Sequence, residues 1–191
     1  MRGRSKPTWI AADALQFSMG NKSRMPRDWD ELRERFGVDP SAHGWSATAF
    51  NCPRPEIELP PSYRSFMRVV GPGTLSGFVR LQPPGNMSLY RERLAPFMDA
   101  ELAEALADSG DVLIFADSDN GDYCGWHLEE LRQVAEPRVV RIAPRSFDAN
   151  DAAPDFPSFI DRLISGVDLF GIGPLDCTYE LMRPFGRLAS S

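Results

Sequence analysis

Histidine and lysine are nearly missing from this chain: it has two histidines, His43 and His127, and Lys6 and Lys22 are its only lysines. So few histidines leave little material for general-base or metal-ligand chemistry, in which imidazole is the commonest participant. Cysteine is scarce too. The three present, Cys52, Cys124 and Cys177, are odd in number and far apart. They show neither the paired spacing of a metal site nor the density of a disulfide framework, and a reducing cytoplasm suits them. Long apolar runs are absent: the longest, Val112 to Ala116, falls far short of the ~20 residues a membrane helix needs, so no membrane span is expected. The stretch from Met1 to Gln16 is basic and then mixed, without the apolar segment and cleavage site of a secretory signal, and export is not expected. Positive charge is also short. With 21 basic against 27 acidic residues the net charge is −6, which argues against nucleic acid as the main partner and fits a basic protein better.

What is present is an ordinary globular composition. The 191 residues, 42% hydrophobic and 25% charged, suit one domain with a sizeable core. Seventeen prolines and 15 glycines cut the chain into short elements. Residues 1–27 read as an N-terminal arm. A short helix is expected from Asp28, where Asp28 and Glu31 have capping-box spacing and Trp29, Leu32 and Phe36 share a face before Gly37. Val38 to Glu58 reads as a long irregular connection. A second helix begins at Pro61, with Tyr63, Phe66, Met67 and Val70 on one stripe before Gly71-Pro72. Leu75, Val79 and Leu81 alternate with Ser76, Phe78 and Arg80 as one short strand. Leu89 to Asp108 reads as helix interrupted at Pro96, with Leu102 and Leu106 on one stripe of its second half. Asp111 to Phe115 and Tyr123 to Leu128 form a hairpin across the turn-rich Asp117 to Asp122. A strand at Arg138 to Ile142, a helix at Pro157 to Ile164 and a strand within Leu175 to Leu181 follow. Helices at both ends and hairpin connections predict an α+β fold, a mainly antiparallel sheet flanked by helices.

Leu59-Pro60-Pro61-Ser62-Tyr63-Arg64-Ser65-Phe66, followed by Gly71 and a strand, resembles the opening helix of the SUKH superfamily, the Smi/Knr-like proteins. Asp111 to Asp117 with Gly121-Asp122-Tyr123 is similar to that family's central hairpin, and Pro157 to Ile164 to its closing helix. The resemblance spans residues 28–165, leaving 166–191 as a C-terminal extension packed on the same domain. The long Val38 to Glu58 segment and the extension depart from the family pattern. The resemblance implies an immunity protein of a bacterial polymorphic toxin system: a cytoplasmic, non-enzymatic binder of a basic toxin domain, often a nuclease. It implies no catalytic residues and no cofactor. A regulatory scaffold of the Smi/Knr-like type is the alternative, and a small metal-dependent enzyme a third reading.

The possible chemical constellations are few. Cys124 and His127 point to opposite faces of an extended strand, which disfavours a nucleophile pair. Asp117 to Asp122 superficially resembles a calcium loop, but glycine falls fifth instead of sixth and position twelve is Leu128 instead of glutamate. A hairpin turn accounts for the same residues, and no metal site is expected. Between Asp99 and Glu130 stand ten acidic residues and no Lys or Arg. Read as a surface, this run predicts a negative docking face for a basic partner, with Asp117, Asp119, Asp122 and Glu129 as its charges and Tyr123 and Trp126 as aromatic anchors. Both aromatics suit a core position equally. A monomer is the expected state.

Overall fold

The computed structural model describes residues 28–39, 47–97, 111–143 and 149–182. The expected N-terminal arm, His43 and the helical stripe of Leu102 and Leu106 lie outside the described residues. Helix α1 (Trp29–Phe36) starts where Asp28 accepts hydrogen bonds from the free backbone N–H groups of Asp30 and Glu31, at 3.0 and 3.4 Å. It ends at Gly37, whose left-handed φ of 63° lets its own N–H return to the last turn. Helix α2 (Pro61–Val69) opens on proline, which loses nothing at a position with no intrahelical acceptor, and buries Tyr63, Phe66 and Met67. Its N-terminus has no local cap. Instead Glu136 accepts from the Ser62 backbone N–H at 2.9 Å and from the Ser62 hydroxyl.

The single strand expected around Leu75 to Leu81 is instead a hairpin, β1 (Gly73–Leu75) and β2 (Val79–Leu81). Ser76 and Gly77 both take positive φ, 55° and 64°, and the Phe78 N–H closes the turn on the Leu75 carbonyl at 3.0 Å. Such a turn matches the twist of the flanking strands. The inner face survives the correction, because Leu75, Val79 and Leu81 all remain buried. After β3 (Ser88–Leu89), the expected long helix begins as α3 (Tyr90–Leu94) and tightens into a 3-10 turn at Ala95–Phe97 around Pro96.

The central hairpin is β4 (Val112–Ser118) and β5 (Tyr123–His127). Leu128, expected as strand, starts the short helix α4 (Leu128–Gln133), which sequence reasoning missed. Strand β6 (Val139–Ile142) is followed by a second missed element, β7 (Ala149–Ala153), and by α5 (Phe156–Ile164) and β8 (Tyr179–Leu181). The sheet runs β7-β6-β5-β4-β2-β1-β8, with every pairing antiparallel. Strand β3 lies in line with β2 along the same edge of β4, pairing Ser88 with Ile114 while β2 pairs Val79 with Ser118. The architecture is α+β: an eight-stranded antiparallel sheet flanked by helices in a single domain.

One face of the sheet carries the main core. Phe156 sits among the rings of Trp29, Tyr63, Phe66, Phe115 and Trp126, at centroid distances of 5.1 to 6.4 Å. Burying each such side chain contributes about 1.5–3 kcal/mol. The opposite face holds a smaller cluster, Val112, Ile114, Val140 and Ile142 with Tyr90 of α3. The C-terminal extension belongs to the main core through buried Phe170 and Tyr179, whose hydroxyl donates to the Gly71 carbonyl at 2.7 Å. Gly73 permits this docking, since a Cβ there would meet the Glu180 carbonyl oxygen and the Tyr179 ring at 2.5 Å. No helix among the described residues is long and apolar enough to cross a membrane.

Candidate functional site

The acidic segment between β4 and β5 folds as a tight turn. The Ser118 N–H donates to the Asp122 carbonyl and the Gly121 N–H to the Ser118 carbonyl, both at 2.9 Å, and Gly121 takes a φ of 86°. Strand alternation then separates the acids. Asp117 lies opposite Arg80 on one side and Tyr123 on the other, and Tyr123 faces Ile142, so this row belongs to the smaller-cluster face. Asp122 turns the other way, toward Ser118 and toward Arg141, whose guanidinium lies over the buried ring of Phe170. The six residues expected to form one docking face are therefore divided between two.

Most of their charge is also already matched. Asp117 is buried and accepts from Arg80 Nε, from Gln82 Nε2 at 2.8 Å and from Arg93 at 3.4 Å. Asp119 is exposed and bonds the other end of the Arg80 guanidinium. Asp122, 0% exposed, receives Arg141 Nε at 2.6 Å and the Ser118 hydroxyl at 2.8 Å. Asp111 pairs with Arg91 at 3.1 Å, and Glu130 with Arg138 at 3.3 Å. Among the described residues Glu129 meets only the side-chain amide of Gln133, at 3.3 Å. The expectation of an outward negative face at this turn is thus corrected. Arginines distant in sequence return to the acids through the sheet register and helix α3, and complementary pairing offsets much of the local field. Burial works against the charge on Arg80, but hydrogen bonds and proximity to Asp117 and Asp119 outweigh it and hold its pKa above the ordinary value.

Trp126 requires a second correction as an anchor. It is 0% exposed, stacked on Phe115 at 4.2 Å and edge-on to Tyr63 at 5.2 Å, so no partner reaches it without unfolding. Its indole N–H has no polar acceptor among the described residues. Tyr123 behaves differently. It is half-buried, 5.4 Å from the Tyr90 ring, and the Arg93 guanidinium lies 5.5 Å above its face. Arg93 Nε in turn donates to Ser88 Oγ at 2.8 Å. Tyr123, Arg93, Arg80, Asp117 and Asp119 therefore form one cross-linked polar surface on strands β2, β4 and β5 and helix α3.

Sequence reasoning named the acids and missed Arg80, Arg93, Arg141 and Gln82. Only the interleaving of Arg80 between Val79 and Leu81 hinted that it faces away from the core. Cys124 does not supply a nucleophile. Burial, above all, drives its thiol pKa far above the usual range, the opposite of the thiolate that catalysis needs. Among the described residues no group of three or more His, Cys, Asp or Glu side chains is placed to hold a metal ion. In comparisons with family models, curated proteins and solved structures, none matches the chain.

Proposed function

We propose that this protein acts by binding another protein, as a cytoplasmic immunity-type inhibitor of a basic toxin domain, and that Tyr123 marks the centre of its contact face. The observation behind this reading is the Arg93–Tyr123–Asp117–Arg80 lattice, an aromatic side chain held between charged neighbours on regular elements. Tyrosine and arginine dominate the energetic centres of protein interfaces. Side chains already ordered by internal bonds save about 0.5–1.5 kcal/mol each that a floppy surface loses on docking. Asp119 and Glu129 are exposed, while Asp117 acts from beneath by fixing the arginines. The SUKH-like motifs supply the immunity class, and the net charge of −6 supports long-range attraction of a basic domain.

Local pairing sets the energetics of the complex in this reading. Salt slows encounter by screening the net charge, while dissociation, governed by the Tyr123 centre, changes little. The test is a search of the neighbouring genes for a toxin domain, followed by calorimetric titration of the chain into that domain with toxin activity followed in parallel; the absence of a toxin gene there counts against the immunity reading. The expected result is one-to-one binding with loss of toxin activity, and a Tyr123→Ala variant weaker by roughly 10- to 100-fold. Full toxin activity in the presence of excess chain would remove the immunity reading, and unchanged affinity in Tyr123→Ala would remove this face.

A further inference from the structure

We propose that the outer edge of β8 is a docking site for an extended, basic segment of a partner protein, which joins the sheet as a further antiparallel strand. Backbone direction carries the argument. The Ser76 N–H donates to the Thr178 carbonyl at 2.7 Å, and the Met182 N–H to the Pro72 carbonyl at 3.0 Å. Main-chain groups alternate in direction along a strand, so Thr178, Glu180 and Met182 turn theirs to β1, while Tyr179 and Leu181 turn theirs outward. No strand among the described residues lies beyond β8, and these outward N–H and C=O groups have no partner there. The opposite edge of the sheet is closed. In the β6–β7 register Ala152 is an extra, bulged residue, and Arg162 of α5 donates to its carbonyl. A bulge or a side chain on the outward groups keeps an edge from pairing. Strand β8 pairs without a register shift and has neither.

Side chains set the composition of the occupant. Glu180 lies in one cross-strand row with Thr74, Arg80, Asp117 and Tyr123, on the polar face of the sheet. It is exposed, and its carboxylate has no partner among the described residues. Arg80 is the nearest cation in that row, two strands or about 10 Å away, and is already held by Asp117 and Asp119. Asp176, the next charged residue before Glu180 in the chain, is an exposed acid that accepts from the Thr178 N–H and hydroxyl. Arg33 and Arg35 of α1 belong to the other face, where Phe36 stacks on the Tyr179 ring at 4.9 Å. The described charge along the polar side of β8 is therefore negative. A lysine or arginine opposite Glu180 gains a cross-strand ion pair, and an acid there meets repulsion. On either side of it, aliphatic residues opposite Tyr179 and Leu181 cover Phe36 and Leu181, both only partly buried. A second copy of the chain fits worse, because the two-fold register that pairs Tyr179 with Leu181 sets Glu180 against Glu180.

The edge site stands apart from the Tyr123 contact, four strands away, and is tested on the full chain by amide NMR. The probes are N-acetyl-Thr-Val-Arg-Val-Thr-amide, the same peptide with glutamate in place of arginine, and the arginine peptide N-methylated at both valines. Each is titrated to about 10 mM, tenfold above a millimolar Kd. The arginine peptide is expected to give saturable shifts at Thr178 to Met182 and to slow hydrogen exchange at the Tyr179 and Leu181 amides. The glutamate peptide is expected to bind roughly three- to tenfold more weakly. The N-methylated peptide lacks the two N–H groups that face β8 and is expected not to bind. Glu180→Lys, an exposed substitution, is expected to reverse the preference between the two charged peptides, and Tyr123→Ala to leave it unchanged. The proposal fails if the arginine peptide gives no saturable shift at β8, if N-methylation has no effect, or if Glu180→Lys leaves the preference as it was. It fails equally if the Tyr179 and Leu181 amides of the free chain are already protected from exchange, or shift with protein concentration as a self-paired edge would.

Discussion

Replacing Arg141 by methionine removes the guanidinium from a carboxylate that has almost no water to turn to. Asp122 keeps the Ser118 hydroxyl but loses the bonds to Arg141, and its side chain is 1% exposed. Stranding one member of a buried pair costs about 3–5 kcal/mol, and the lost contact between Arg141 and the Phe170 ring adds roughly 0.5–1 kcal/mol. For a chain of this size the two together correspond to a fall of roughly 7–24 °C in Tm. Asp119→Ala, by contrast, removes the exposed end of the Arg80 bridge, where the pair contributes ~0–1 kcal/mol. The assay is urea unfolding followed by circular dichroism, with Arg141→Met, Asp119→Ala and the double variant Asp122→Leu/Arg141→Met measured together. The double variant recovers much of the loss, since two apolar side chains leave no buried charge unpaired. Refutation would be an Arg141→Met midpoint within about 1 kcal/mol of that of Asp119→Ala. The same comparison governs how binding is tested: reversing Asp122 to lysine attacks the fold, whereas reversing Asp119 perturbs only the surface.

Further expectations concern the core, the helix cap and alkaline stability. Phe156→Ala empties the centre of the aromatic cluster and is expected to cost about 3–5 kcal/mol, read from the same urea midpoints; a loss under ~1 kcal/mol would mean the rings do not converge there. Glu136→Ala uncaps α2 from a distance and is expected to cost about 0.5–2 kcal/mol, with faster hydrogen exchange at the Ser62 amide as its local signature. Burial raises the folded-state pKa of Cys124, Tyr63 and Tyr179. Their contribution is complete below the ordinary thiol and phenol values, near 8.5 and 10, and declines as pH rises through them toward the folded values. Stability measured from about pH 7 to 11 should therefore fall on the alkaline side, and a flat profile would contradict the burial of these groups.

The legible and illegible parts of this fold differ in kind. Helices α1, α2 and α5 were readable because an apolar stripe follows a start signal in each, the Asp28 cap for α1 and a first-turn proline for α2 and α5, and their stripes are the buried faces. The central hairpin was readable from an apolar strand beside a glycine-bearing turn. Helix α4 is too short, at six residues, for a period to emerge. Strand β7 has the composition Ala-Asn-Asp-Ala-Ala, which carries no preference for extended structure and is held there by pairing with β6. The β1–β2 hairpin was read as one strand because inward alternation continues on both sides of a turn only Ser76 and Gly77 announce.

The candidate surface shows the division most clearly. From the residues alone follow a short-element α+β domain, a core rich in aromatic side chains and an acidic stretch around the β4–β5 turn, because composition, periodicity and turn chemistry are local properties of the chain. Whether those acids project a field is not local. It depends on Arg80, Arg93 and Arg141, which lie 37, 24 and 19 residues from the carboxylates they meet. Only the antiparallel register of β2, β4, β5 and β6, with α3 packed beside it, brings them within bonding distance, and electrostatic pairing is decided by distance in space, which sequence separation does not encode.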